Sequence, residues 1–190
     1  MLASLTDEDL MCRYRDGDVS AFQELYQRHH AGLYRFIAWR SPRKDWAEEI
    51  VQDSWINLHK ARERYQPDAS FRTYLYQIAR NRLFDLLRQQ PVSLATEVVN
   101  EDEDWLANLS DEECESPEQG LEQKQQVQAL HAAIRRLPNE QKEALVLQQF
   151  NGLRLEEIAE LTSVPVETVK SRLRYAMQKL RQALQEGSTA

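Results

Sequence analysis

Leu155-Glu-Glu-Ile-Ala-Glu-Leu-Thr-Ser-Val-Pro-Val-Glu-Thr-Val-Lys-Ser-Arg-Leu-Arg-Tyr-Ala-Met177 reads as a short helix, a tight turn and a longer basic helix. Ile158, Ala159 and Leu161 supply the apolar side of the first helix. Thr162-Ser-Val-Pro165 supplies the break, with Pro165 placed where a first helical turn tolerates a missing N–H. From Val166 onward, Val169, Leu173, Ala176 and Leu180 recur at intervals of four, three and four and form one buried stripe. At about 100° per residue, Glu167, Lys170, Ser171, Arg174 and Tyr175 fall on the other side, with Arg172 on the flank. This is the pattern of a helix-turn-helix whose second helix enters the DNA major groove, with cations for phosphates and hydrogen-bonding groups for base edges. Arg154 stands where a Ser or Thr N-cap is expected, so the first helix is expected to start loosely.

A formal net charge of -7 looks wrong for a nucleic-acid binder until it is divided along the chain. Residues 1–90 carry 14 Lys/Arg against 13 Asp/Glu, and residues 124–190 carry 10 against 7. Residues 91–123 carry no Lys/Arg and 11 Asp/Glu, so the acidity sits in one middle segment. That segment's Ser, Pro and Gly content describes a flexible linker, with one short apolar cluster at Trp105-Leu-Ala-Asn-Leu109. The organisation expected is all-α: a helical domain over 1–90, an acidic linker over 91–123 and a helix-turn-helix domain over 124–190.

Residues 6–90 read as helix after helix, punctuated by turns such as Asp16-Gly-Asp18. A helix beginning near Ser20 turns Phe22, Leu25 and Tyr26 inward, and Leu33, Tyr34, Phe36 and Ile37 continue the core beyond His29-His30. Asp45 to Lys60 buries Trp46, Ala47, Ile50, Val51, Ser54 and Leu58, and its other side groups Glu49, Gln52, Asp53 and Ile56. An apolar Ile among acids and amides suits protein docking better than solvent. Phe71 to Arg88 turns Leu75, Ala79, Leu83 and Leu86 inward, and Tyr74, Gln77, Asn81, Phe84 and Arg88 outward. Rings interleaved with amides and Arg suit the stacking of unpaired bases, although taken alone the pattern is more often packing against a neighbouring helix. In the second domain Val127, Leu130, Ala133, Ile134 and Leu137 make a stripe, a helix opens at Pro138, and Phe150-Asn-Gly152 turns into the helix-turn-helix.

Three blocks, Asp16-Gly-Asp-Val-Ser-Ala-Phe22, Ala47-Glu-Glu-Ile-Val-Gln-Asp-Ser-Trp55 and Phe71-Arg-Thr-Tyr-Leu-Tyr-Gln-Ile-Ala-Arg-Asn81, together with Leu137-Pro through Leu180, resemble regions two and four of the extracytoplasmic-function sigma factors of bacterial RNA polymerase. The resemblance implies a promoter-specificity subunit that directs initiation by recognising −35 and −10 elements, without enzymatic activity or a cofactor. It implies that Glu49, Gln52, Asp53 and Ile56 clamp the polymerase. It places the −10 element, as melted single strand, on Tyr65, Phe71, Tyr74, Gln77, Asn81 and Arg88, with the loop from Tyr65 to Ser70 as the pocket for a flipped base. Thr168, Lys170, Ser171, Arg172, Arg174 and Tyr175 match the helix that reads the duplex −35 element. Tyr175 stands in place of a frequent Arg and Tyr74 in place of a frequent Trp. The resemblance further implies core polymerase, promoter DNA and an anti-sigma factor as partners, and an acidic linker that runs toward the RNA path.

A stand-alone helix-turn-helix regulator is the other reading; it predicts tight operator binding without polymerase, and the weak charge of each lobe and the face at Ile56 argue against it. An enzyme fits worse. Gly17, Gly32, Gly120, Gly152 and Gly187 form no phosphate-cradling loop, and His29, His30, His59 and His131 lack partners at metal-ligand spacing. Cys12 and Cys114 are far apart and in no redox spacing, which suits a reduced cytoplasmic chain with inert thiols. The first ten residues are too acidic for a signal peptide, and no stretch is long and apolar enough to cross a bilayer, so no membrane contact is expected.

Overall fold

The computed structural model describes residues 2–89 and 117–187, and no strand occurs among them. Helix α1 (Asp7–Arg15) starts on Thr6, whose Oγ1 accepts the Asp9 N–H at 3.1 Å. Acids fill its first turn and Arg13 and Arg15 its last, which complements the helix dipole. Gly17, at φ +104°, makes the turn that an L side chain would resist. Asp18 then caps α2 (Val19–Arg40), accepting from Ser20 N–H at 3.0 Å. Helix α2 runs unbroken through His29 and His30. Helices α3 (Lys44–Ala61) and α4 (Phe71–Gln89) complete the first lobe. The inward residues expected on α3 and α4 are all buried.

Polar ties lock α1 to this bundle. Arg28 donates to the Asp7 and Glu24 carboxylates at 2.9 and 2.8 Å and to the Ala3 and Leu5 carbonyls at 2.8 and 2.9 Å. The His29 ring lies 2.7 Å from the other Asp7 oxygen. Glu8 accepts the Phe71 N–H at 2.8 Å, so α1 caps the first turn of α4.

The second lobe comprises α5 (Pro117–Arg135), α6 (Asn139–Leu145), α7 (Leu155–Thr162) and α8 (Val166–Gly187). Helix α5 begins inside the segment expected to be linker; Trp105–Leu109 and Cys114 lie outside the described residues. Helix α6 continues into a π-turn over Val146–Phe150, closed by Gly152 at φ +65°, which the apolar pattern does not signal. Helix α7 starts more firmly than Arg154 suggested: Glu157 reaches back and accepts the Arg154 N–H at 2.8 Å, half of a capping box. Ser163 closes α7 in the left-handed region at φ 55°, and Ile158, Leu161, Val169 and Ala176 fix α7 against α8.

The two lobes pack against each other. Trp39 of α2 sets its ring 5.3 Å from His131 and 6.2 Å from Phe150. Glu143 of α6, 3% exposed, meets Arg80 of α4 at 3.0 Å and Arg40 of α2 at 3.8 Å.

Burial opposes ionisation of Asp7, but the His29 ring and the Arg28 guanidinium outweigh it, so its carboxyl lies below the ordinary 3.8. Asp7 therefore stabilises the fold fully above pH ~4, and the contribution is lost as pH falls through the depressed folded-state value. Asp7→Asn should lower stability at pH 7 by about 1–2 kcal/mol. In urea titrations the gap between variant and parent should close as pH falls from 4 toward 2.

Candidate nucleic-acid and protein interfaces

Burial of the α8 stripe leaves the opposite side free to carry polar groups. Lys170, Arg174 and Tyr175 are exposed, and Thr168, Ser171 and Arg172 are partly so, giving one continuous polar and cationic surface. Lys170 is held by Glu167 at 2.7 Å, an exposed contact that raises its pKa and orients the ammonium. The Arg174 guanidinium lies 5.2 Å from the centre of the Tyr175 ring, a cation–π pair that presents a flat amphipathic plate. Of the six α8 residues singled out in the sequence, Lys170, Ser171, Arg174 and Tyr175 lie on the side opposite the buried stripe, and Thr168 and Arg172 lie on its flank.

The α4 set divides. Asn81 and Arg88 are exposed, Gln77 and Tyr74 are half-buried, and Gln77 donates to Asn81 at 2.9 Å one turn on. Phe84 is covered on one face by Arg80, 4.6 Å from the ring centre. Phe71 and Tyr65, by contrast, are core residues, 0% and 4% exposed, stacked edge-on at 6.5 Å. Burial raises the pKa of the Tyr65 hydroxyl, with the nearby Glu8 carboxylate adding to it. Neither ring is open to a base, because Phe71 follows the α1 cap and its side chain points into the bundle. The loop before α4 keeps Gln66, Pro67 and Asp68 at the surface.

On α3, Gln52 and Ile56 are exposed, Ile56 by 42%. Glu49 and Asp53 stand beside them, but they share Arg82 of α4 at 2.9 and 2.7 Å, so their charge is partly spent within the lobe. Helical spacing on α3 alone could not reveal Arg82. Nor did it reveal the aromatic cleft beside Ile56. That cleft, of about 760 Å³, is lined by Tyr26, His30, Tyr34, Gln52, Trp55 and Ile56. Tyr26 stacks on His30 at 4.5 Å and leans on Trp55 at 5.0 Å, while Trp55 Nε1 is buried with no protein acceptor. The i, i+4 pair Tyr26 and His30 was the available signal. An apolar anchor carrying a hydrogen-bond acceptor suits such a cleft.

Among the described residues no group of His, Cys, Asp and Glu is arranged to hold a metal ion, and no helix is long and apolar enough to cross a membrane.

Comparison with known proteins agrees with both blocks. Residues 25–91 match the family described as Sigma-70 region 2, and residues 127–180 match Sigma-70, region 4. The chain is 30% identical to an RNA polymerase sigma-H factor of Pseudomonas aeruginosa over 97% of each chain. It is 31% identical to an ECF RNA polymerase sigma-E factor of Haemophilus influenzae, over 97% of this chain and 98% of the relative. Among solved structures, CnrH in complex with the cytosolic domain of CnrY superposes with a TM-score of 0.68 at 22% identity, over 95% and 97% of the two chains. The sigma factor RpoE of Bartonella quintana, bound to the anti-sigma factor NepR, gives 0.64 at 22%, over 86% and 96%. These last two likenesses speak to the fold.

The division between surface and core residues is measurable. Ile56→Ala should change unfolding free energy by no more than ~0.5 kcal/mol. Phe71→Ala should cost about 3–5 kcal/mol in the same denaturant titration, because it empties a core site.

Proposed function

Since the chain belongs to the extracytoplasmic-function sigma factors of bacterial RNA polymerase, we propose a division of labour in which each exposed face described above meets one component of the initiation complex. The protein binds core polymerase and directs transcription initiation; it contributes specificity and no bond-breaking chemistry. Regions two and four are assigned to residues 1–90 and 124–190. The observation that carries the assignment is the single polar and cationic side of α8, left exposed while the stripe opposite it is buried.

On this reading Lys170, Arg172 and Arg174 hold phosphates and base edges of the duplex −35 element, with Thr168, Ser171 and Tyr175 alongside. Tyr74, Gln77, Asn81 and Arg88 read the −10 strand once it is unpaired. Each captured base contributes on the order of 1–3 kcal/mol of stacking, which offsets strand opening. Gln52, Ile56 and the aromatic cleft seat an apolar anchor of the polymerase, while Glu49 and Asp53 supply acceptors at the rim. The anti-sigma complexes of the structural relatives support a like inhibitor for this chain. A cytoplasmic location follows from work on polymerase.

Each lobe carries little net positive charge, so neither should hold DNA well alone. Tethering both on polymerase raises their effective concentration and makes selection depend on the spacing of the elements.

Run-off transcription with sigma-free core polymerase, over a library of spaced promoter elements, tests the reading. Discrete new start sites are expected only when the protein is added. Lys170→Ala and Arg174→Ala should each reduce initiation at −35-dependent promoters about tenfold and lower the salt slope of duplex binding by about one. Asn81→Ala should act on −10 sequence preference, and Ile56→Glu on core affinity alone. No start sites, with tight duplex binding by the protein alone, would instead favour a free-standing regulator.

A further inference from the structure

At the start of α8 a carboxylate stands in the middle of a surface otherwise suited to attract phosphates. At about 100° per residue, Glu167 lies opposite the buried line of Val169, Leu173, Ala176 and Leu180, and nearly in line with Arg174 two turns on. Its side chain is 82% exposed, and its Oε1 accepts from Lys170 Nζ at 2.7 Å, one turn along. Lys170 is half exposed, and this bond leaves its other ammonium hydrogens for a further partner.

An acid in the first turn of a helix suits the helix dipole, and a Glu–Lys pair one turn apart adds a little to helix stability. Neither role requires this position. Thr168, in the same turn, lies on the flank, where an acid would serve the dipole without facing DNA. If the exposed side of α8 enters a major groove, Glu167 is repelled by every phosphate it approaches and lowers affinity for duplex of any sequence. A carboxylate is favourable there only against an edge that offers an amine, and its usual partner is cytosine N4. The spacing of the ion pair fits such an edge. In a G·C pair the guanine O6 acceptor lies beside the cytosine N4 donor, about 2.9 Å away across their own hydrogen bond. Lys170 Nζ and Glu167 Oε1 set a donor beside an acceptor at 2.7 Å. Guanine N7 then lies next to O6 and takes a second ammonium hydrogen. In an A·T pair the acceptor beside the amine is thymine O4, whose outer neighbour is a methyl group rather than a second acceptor.

We propose that the Glu167–Lys170 ion pair reads one G·C base pair of the −35 element as a unit, Lys170 donating to guanine O6 and N7 and Glu167 accepting from cytosine N4. Glu167 is then a specificity-determining residue of α8. The inference rests on the −35 reading of α8 and deepens it. Its selectivity works partly by exclusion: where no amine stands in register, the carboxylate meets only acceptors and phosphates, and its repulsion goes uncompensated. The pair therefore separates two quantities that a purely cationic surface would raise together, affinity for duplex in general and preference for one sequence.

Transcription by the reconstituted holoenzyme, from a library randomised over the −35 element with the −10 element fixed, tests the pair. For the parent, one position should favour G·C about tenfold over the other base pairs. Glu167→Ala should flatten that position to within about twofold and leave the preferences elsewhere unchanged. It should also raise initiation from the disfavoured templates, because a repelling charge is gone. Lys170→Ala should flatten the same position but lower initiation from every template. Glu167→Gln should admit adenine in place of the cytosine, since an amide pairs with adenine N6 and N7. Pyrimidin-2-one, which lacks the N4 amine, set opposite guanine at that position should cost the parent about tenfold and Glu167→Ala far less. The far-ultraviolet spectrum should be the same for all these variants. A G·C preference that survives Glu167→Ala, or an equal response of all templates to it, overturns the proposal and leaves Glu167 an acid for the helix dipole. Should no protein in the series direct start sites, the promoter reading fails. The same library, selected by duplex binding to the full chain alone, then decides whether Glu167 sets a base preference.

Discussion

Phe36, Ile37, Ala38 and Trp39 are four consecutive residues of α2, and all four are buried. Four successive positions sweep a full turn of helix, so no single neighbouring face can cover them. In the first lobe α2 is flanked by α3 and α4, which account for one arc. The remaining arc is closed by Trp39 against His131 and Phe150 of the second lobe. The amphipathic stripes of α3, α4 and α8 each need one partner surface; the end of α2 needs two. The relation between the lobes therefore follows from an excess of apolar surface on one helix.

Charge makes that relation selective. Around Glu143 stand Arg40 and Arg80, and Lys142 follows the same turn, its pKa lowered first by burial and then by repulsion from Arg40 and Arg135. One carboxylate facing several cations is a poor source of net stability, since desolvation of the guanidinium groups offsets much of the attraction. Its geometric demand is strict, however. Displacing the carboxylate leaves buried cations without a counter-charge, whereas parting the lobes returns them to water. Apolar contact sets the approximate strength of the seam, and the Glu143 cluster sets its register and allows it to separate cleanly.

Most of the fold was legible because it depends on period. Val169, Leu173, Ala176 and Leu180 fall at helical intervals, as do the inward residues of α3 and α4, and all are buried. The outward side of α8 was legible by subtraction. Three features were not. Phe71 and Tyr65 carry the residue types expected of a base-stacking surface, but the cap that Glu8 places on Phe71 rotates that ring into the core, and a contact between positions 8 and 71 leaves no periodic trace. Arg82 pairs with both Glu49 and Asp53 from another helix and offsets part of their charge, again without local signal. The π-turn adds a residue to α6 without changing its apolar pattern, yet it places Asn151 against Tyr76. The seam did have a signal in the run Phe36-Ile-Ala-Trp39, too continuous for a helix with one wet side.

The exposed cleft and the covered surface of lobe one are lined by different residues. Ile56 and the aromatic cleft lie between α2 and α3, and the cleft is lined by neither Arg72 nor Arg80, the two α4 residues that lobe two partly covers. With the lobes packed, Trp39 is buried and the guanidinium groups of Arg40, Arg72 and Arg80 face carbonyls and a carboxylate of lobe two.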